Sequence, residues 1–252
     1  MAATTDETSN PAHTIEVLWG QKATPRRGPR PAFTLTDIAQ AAITIADTDG
    51  LAAATMHRVA QHLGVTKMAL YRYVRGKDEL IALMTEAGLG APPPPDTQPR
   101  HWRSQLDTWA HHLYDRFCRH PWALETTVGT RIMGPHELSW IERALAALTD
   151  TGLHGSEKLD IAVTLIGHAR TIAQQGTAAT TDTPEQAMHT TMTTLLHGRE
   201  DQYPALVEAL TSANTHGTTD QALDFGLNRI LDGVEHLITS RATRDPATPD
   251  NT

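Results

Sequence analysis

Residues 55–77, TMHRVAQHLGVTKMALYRYVRGK, constrain the fold more than any other part of the chain. Val59, Leu63, Val65, Leu70 and Tyr73 recur at the spacing of two short helices packed across a turn. Gly64 falls where the chain must reverse, and Ala60 is small where the helices would cross. Thr55 and Thr66 each stand ahead of a helix, as N-caps do, because a threonine oxygen accepts from an amide two or three residues on. The second helix then carries Lys67, Tyr71, Arg72 and Tyr73. A helix fits the major groove of DNA, so a short helix with this surface on a packed hairpin is what a DNA-reading helix-turn-helix needs.

The charge distribution agrees. The net charge is −8, which taken alone argues against nucleic acid. Residues 22–82, however, hold nine basic and five acidic side chains, whereas residues 83–252 hold twelve and twenty-one. A basic N-terminal module on an acidic body favours docking on DNA in one orientation. No apolar run approaches the length of a membrane span. The N-terminus lacks the basic start and apolar core of a secretory signal. The single cysteine, Cys118, cannot form an intrachain disulfide. These features place the chain in a reducing cytoplasm.

The pattern predicts an all-α protein. Residues 1–32 form an expected disordered tail and basic arm, whose prolines keep Arg26, Arg27 and Arg30 extended; a short apolar patch around Leu18 and Trp19 has no assigned partner. Residues 33–90 form a helix-turn-helix domain. Thr34 with Asp37 marks the start of its first helix, Asp49-Gly50 its end, and Lys77-Asp78 the start of its fourth. The run GLGAPPPP at 88–95 marks a boundary. Residues 91–242 form a helical bundle, and residues 243–252 a disordered tail. Within the bundle Trp102, Leu106, Trp109, Leu113 and Phe117 share one face of a long helix. Further helices are expected over 135–148, from 156, over 184–196, over 203–210 and over 220–240.

If Thr66 starts the recognition helix, Leu70 and Val74 point inward. Thr66, Lys67, Met68, Ala69, Tyr71, Arg72 and Tyr73 then supply the surface. Lys67 and Arg72 can donate to guanine or phosphate, Met68 and Ala69 can pack on a thymine methyl, and the tyrosine hydroxyls can reach phosphates. Thr55 and Lys77 add phosphate contacts. Tyr73 serves the core equally well.

Residues 33–84 resemble the N-terminal domain of the TetR family of transcriptional regulators. The resemblance rests on Ile38, Ala41, Ala42, Ala46, Gly50-Leu51, Thr55, Arg58, Val59, Ala60, Leu63, Gly64, Val65, Leu70-Tyr71-Arg72-Tyr73-Val74, Lys77, Glu79 and Leu80. It implies an all-helical homodimer that binds a double-stranded operator through paired helix-turn-helices and is released by a small-molecule effector. It adds His57 and Arg58 to the DNA contacts, and Arg26, Arg27 and Arg30 could enter a minor groove. The segments at 120–122 and 134–148 resemble effector domains of actinobacterial members.

In the second half, Trp102, Trp109, Phe117, Trp122, Met133, Trp140, His168 and Gln174 are candidates for an effector pocket, which needs apolar walls and a few oriented polar groups. Filling the core is the competing role for the aromatics, and a satisfied interior position the competing role for His168. Ala222, Gly226, Leu227, Ile230, Gly233, Val234 and Leu237 are candidates for a dimer interface, because leucine-rich heptad spacing runs beside a small-residue strip. Ordinary intrachain packing is the competing role. Fourteen histidines raise the question of metal, but HELSW at 136–140 lacks the second histidine of a zinc protease motif, and no Glu-x-x-His pair exists. No phosphate loop or dinucleotide fingerprint is present. The expectation is therefore a regulator with no cofactor, no metal and no catalytic residues, most simply a repressor. A helical-bundle enzyme with a vestigial helix-turn-helix, and a DNA binder without ligand control, are the rivals.

Overall fold

A computed structural model of the protein describes residues 11–20, 33–94, 101–176, 184–216 and 222–244. Every regular element among the described residues is helical. The chain divides into two compact units, one of Met1–Arg100 with Asp115–Ala146, the other of His101–Tyr114 with Ala147–Thr252. This division does not follow the proline run. Residues 115–146, expected in the second domain, pack with the first, because the helix after the helix-turn-helix needs cover on the side away from it.

The first unit is built on two helices, α2 (Leu35–Asp49) and α5 (Lys77–Leu89), which pack along each other. Ile38, Ala42, Leu80 and Met84 are fully buried in that core. Thr34 caps α2 as expected: its hydroxyl accepts from the Asp37 amide at 3.2 Å, and the Asp37 carboxylate accepts the Thr34 amide at 2.7 Å. These bonds to the Thr34 hydroxyl and amide hold the Asp37 carboxyl below its usual range. Gly50 ends α2 at φ 81°, in the left-handed region that glycine enters without a Cβ clash. Between α2 and α5 lie the two helices of the hairpin, α3 (Met56–His62) and α4 (Lys67–Leu70).

The N-terminal segment corrects the sequence reading. Pro11–Trp19, expected inside a disordered tail, is a helix, α1, packed on α5 with Thr14 and Leu18 buried. Pro11 suits the first helical position, where no amide is needed. A nine-residue helix is marginal alone in water, so its order comes from the surface it covers. That surface lies more than sixty residues away in sequence, which is why local pattern did not reveal it. Residues 1–10 and 21–32 lie outside the described residues.

Helix α6 (Trp102–Arg119) gives its first part to the second unit and its last turn to the first. A short α7 (Ala123–Thr126) then covers α5, and α8 (Pro135–Ala147) completes the first unit. In the second unit α9 (Gly155–Gly176) packs against α12 (Ala222–Arg244), and α10 (Pro184–Leu196) against α11 (Pro204–His216). Charges fasten the frame of α12. Arg103 of α6 reaches Asp232 at 2.6 Å and Glu235 at 3.2 Å, and Arg241 reaches Glu157 of α9 at 2.7 Å. Helix α12 runs past the expected boundary at 242, and residues 245–252 lie outside the described residues. Among the described residues no helix is long and apolar enough to cross a membrane.

Candidate DNA interface and effector half

The hairpin is held by its inward residues. Val59, Leu70 and Val74 are fully buried and Ala60 nearly so. Each such aliphatic side chain contributes on the order of 1.5–3 kcal/mol by leaving water. The Thr55 hydroxyl accepts from the Arg58 amide at 3.3 Å, and the Thr66 hydroxyl from the Ala69 amide at 3.2 Å. Gly64, at φ 66°, makes the reversal between α3 and α4.

The outward residues form the surface expected of a recognition helix. Lys67 and Arg72 are exposed, and Met68 is 74% exposed, a large apolar side chain held in water. The Lys67 ammonium stands 5.5 Å from the centre of the Tyr71 ring, which limits where the lysine can point. Ala69 and Tyr71 are half-buried, and Thr66 is exposed. Tyr73 is partly core: its ring lies 4.7 Å from that of Phe33, and it stays partly accessible. His57 and Lys77 are exposed. Arg58 is exposed too, with its guanidinium 2.5 Å from Asp49, a surface pair worth little to stability. Arg26, Arg27 and Arg30 lie outside the described residues.

Two carboxylates tie α5 to its surroundings: Glu79, named above only for the family resemblance, and Glu86, which the sequence reading did not single out. Glu79 is 1% exposed. It accepts the Arg75 amide at 2.7 Å, at the exit of the recognition segment, and His13 Nδ1 of α1 at 2.8 Å. Two turns further on, buried Glu86 accepts the His136 amide at 2.7 Å and faces the Glu137 amide at 3.4 Å. Those are the first amides of α8, so the carboxylate both caps that helix and meets its positive end. Gly134 lies against this carboxylate, with no room for a Cβ. The backbone partners lie fifty residues or more from Glu86, so spacing along the chain gave no signal.

The eight aromatic and polar candidates for an effector pocket are not gathered in one unit. Phe117, Trp122, Met133 and Trp140 belong to the first unit, and Trp102, Trp109, His168 and Gln174 to the second. Several are occupied by packing. Trp122 is buried against Gly88, and its indole donates to Asp47 at 2.6 Å. Trp140 is buried and donates to the Gly90 carbonyl at 2.9 Å. Trp109 and Phe117 are buried, Trp102 is half-buried, and Met133 and Gln174 are exposed. His168 Nε2 donates to the Leu223 carbonyl at 3.0 Å, and the ring lies under Gly226.

The dimer candidates divide similarly. Leu227 and Val234 are buried inside their own unit, and Gly226 lies against the His168 ring. Ala222, Ile230 and Leu237 are half-buried, and Gly233 faces open space. The exposed apolar side chains of this helix pair are Leu159, Val163 and Phe225, none of which the sequence reading selected. Of the heptad-spaced residues, Leu227 and Val234 face into their own unit, while Ile230 and Leu237 stay half-buried.

Comparison with known proteins gives this geometry a family. Residues 38–84 match the sequence pattern described as "Bacterial regulatory proteins, tetR family", and residues 94–238 match "Tetracyclin repressor-like, C-terminal domain". The chain is 34% identical to the HTH-type transcriptional repressor DrrR1 of Streptomyces coeruleorubidus, over 91% of this chain and 87% of that protein. Apo ActR from Streptomyces coelicolor superposes with a TM-score of 0.69 at 24% identity, covering 84% of this chain and 99% of that one. ActR in complex with actinorhodin superposes with a TM-score of 0.66 at 26% identity, covering 80% and 94%. With both parts of the chain matched, and a relative 34% identical over 91% of it, the protein belongs to the TetR family of transcriptional regulators.

Proposed function

We propose that the protein is a cytoplasmic, homodimeric repressor that leaves a palindromic operator when a small molecule binds it. Residues 33–90 would be the DNA-binding domain and residues 91–242 the effector-binding and dimerisation domain. The observation that carries the reading is the recognition segment, where Leu70 and Val74 are fully buried while Lys67 and Met68 face water. An enzyme with a vestigial hairpin has no reason to keep a large apolar side chain exposed beside a lysine on that face.

Thr66, Lys67, Met68, Ala69, Tyr71, Arg72 and Tyr73 would meet the groove, with Thr55, His57, Arg58 and Lys77 on phosphates. Arg26, Arg27 and Arg30 would follow a minor groove. A two-fold dimer would set the recognition helices about 34 Å apart, one turn of DNA. Leu159, Val163 and Phe225 support α9 and α12 as the dimerising pair, because an exposed apolar face on a packed helix pair wants cover. ActR, bound in its crystals by actinorhodin, supports a small-molecule effector.

Signal transfer would run through α5. Glu79 holds the end of the recognition segment and Glu86 holds the start of α8, about 10 Å apart along the helix. A shift of α8 would pull on Glu86, tilt α5 and change the recognition helix's setting. An effector with different affinity for the two settings would move the balance by that difference. Lys67→Ala and Tyr71→Ala should abolish the operator gel shift while the protein still elutes as a dimer; unchanged operator affinity would remove these residues from the interface.

A further inference from the structure

The recognition helix α4 is a single turn, Lys67–Leu70, too short to be stiff by itself. Its setting depends on what holds its exit. Leu70 and Val74 are fixed by burial, and the next residue, Arg75, gives its amide to Glu79 Oε2 at 2.7 Å. The other oxygen of that carboxylate takes His13 Nδ1 of α1 at 2.8 Å. We propose that His13 is a positioning residue for DNA reading: through Glu79 it fixes the path by which the recognition segment leaves α4 and enters α5. The proposal rests on the DNA-binding reading above and adds α1 to the parts that reading needs. The His13 side chain is 15% exposed, so it acts through Glu79 rather than on DNA.

Glu79 stands in the first turn of α5, three residues after Gly76, an N-cap with no side-chain bond of its own. An acidic side chain there meets the positive end of the helix and can reach back to the backbone before it, as the glutamate of a capping box does. Capping accounts for Oε2 alone. Oε1 belongs to a carboxylate that is 1% exposed, and a carboxylate only accepts, so the His13 ring must donate to it. Without that donor the buried oxygen keeps its desolvation cost, and the carboxylate is driven to take up a proton or to turn towards another donor. Either change loosens its hold on the Arg75 amide. His13 can serve because α1 is itself fixed. His13, Thr14, Val17 and Leu18 form one stripe of the helix, half-buried or buried throughout, and the Trp19 indole donates to the Met133 carbonyl at 2.9 Å.

The test compares His13→Leu, which removes the donor, with His13→Asn, whose amide nitrogen replaces Nδ1. Leucine is the better helix former, so a role limited to the stability of α1 would make the asparagine variant the weaker one. The proposal expects the opposite order. In the full, isotope-labelled chain the Arg75 amide should exchange with solvent about tenfold faster in His13→Leu and near the wild-type rate in His13→Asn, with amides of α9 and α12 unchanged in both. Affinity for the duplex that the wild type selects from a random pool should fall in the same order, with the dimer intact. His13→Ala carries the comparison if His13→Leu does not fold. Equal Arg75 exchange in the wild type and His13→Leu, or a larger effect in His13→Asn, would overturn the proposal. So would faster exchange in His13→Leu with unchanged duplex affinity. The exchange comparison needs no DNA, so it decides whether His13 holds the segment even if the wild type selects no duplex, a result that would count against the DNA-binding reading alone.

Discussion

His111 shows how single side chains fasten this molecule. Its Nδ1 donates to the Asp107 carbonyl at 2.8 Å and its Nε2 to Asp224 at 2.8 Å, so both nitrogens act as donors and the charged form is favoured. Partial burial pulls its pKa down, but the two hydrogen bonds and the two aspartate charges outweigh this and leave it raised. A raised histidine contributes stability that is complete below the unfolded value, about 6.5, and is lost as pH rises through the folded one. Urea midpoints of the wild type should therefore fall more than those of His111→Gln as pH rises from 6 towards 8. Parallel midpoints would show that the pair contributes nothing. At this scale the sequence was least informative. The partners of Trp122, Trp140 and Glu86 are backbone or carboxylate groups far along the chain, and periodicity reports which face a residue occupies, never what touches it.

Helices were legible where their signals are local. Thr34, Thr55 and Thr66 each cap the helix they precede, because a cap involves only the next few residues. Pro121 and Pro204 lie just outside or at the start of helices for equally local reasons. Helix α1 was missed because its order depends on α5. On α12 leucine spacing fits a partner helix of the same chain as well as one of a second copy, so spacing alone did not separate the two faces. Gly226 illustrates the outcome: a Cβ there would lie 2.1 Å from the His168 ring. Gly226→Ala should lower stability by about 1–3 kcal/mol in urea denaturation, as overpacking does. Adding His168→Ala should recover part of that loss in a double-mutant cycle. Full additivity would show that the two helices do not meet through this pair.

For the whole molecule, the charge split and the helix-turn-helix were enough to set the class of function from sequence, whereas the arrangement into units was not. The segment Asp115–Ala146 joins the first unit through contacts with α5 that no proline run announces. Assembly is the other property at this scale. Phe225 is 68% exposed and Val163 65% exposed on the two helices proposed to pair across the two-fold axis. Phe225→Lys combined with Val163→Lys would put four charges into a dimer interface. The double variant should elute as a folded monomer with unchanged helicity and with greatly weakened operator binding, since each half-site then acts alone. A dimer that persists would move the interface to another face.

Sequence-specific DNA recognition by a two-fold pair is tested most directly by selection of bound duplexes from a random pool. The full-length protein should enrich an inverted repeat with half-site centres about 10 base pairs apart, and Lys67→Ala should not. No enrichment at low salt, or enrichment of a single unpaired half-site, would contradict it.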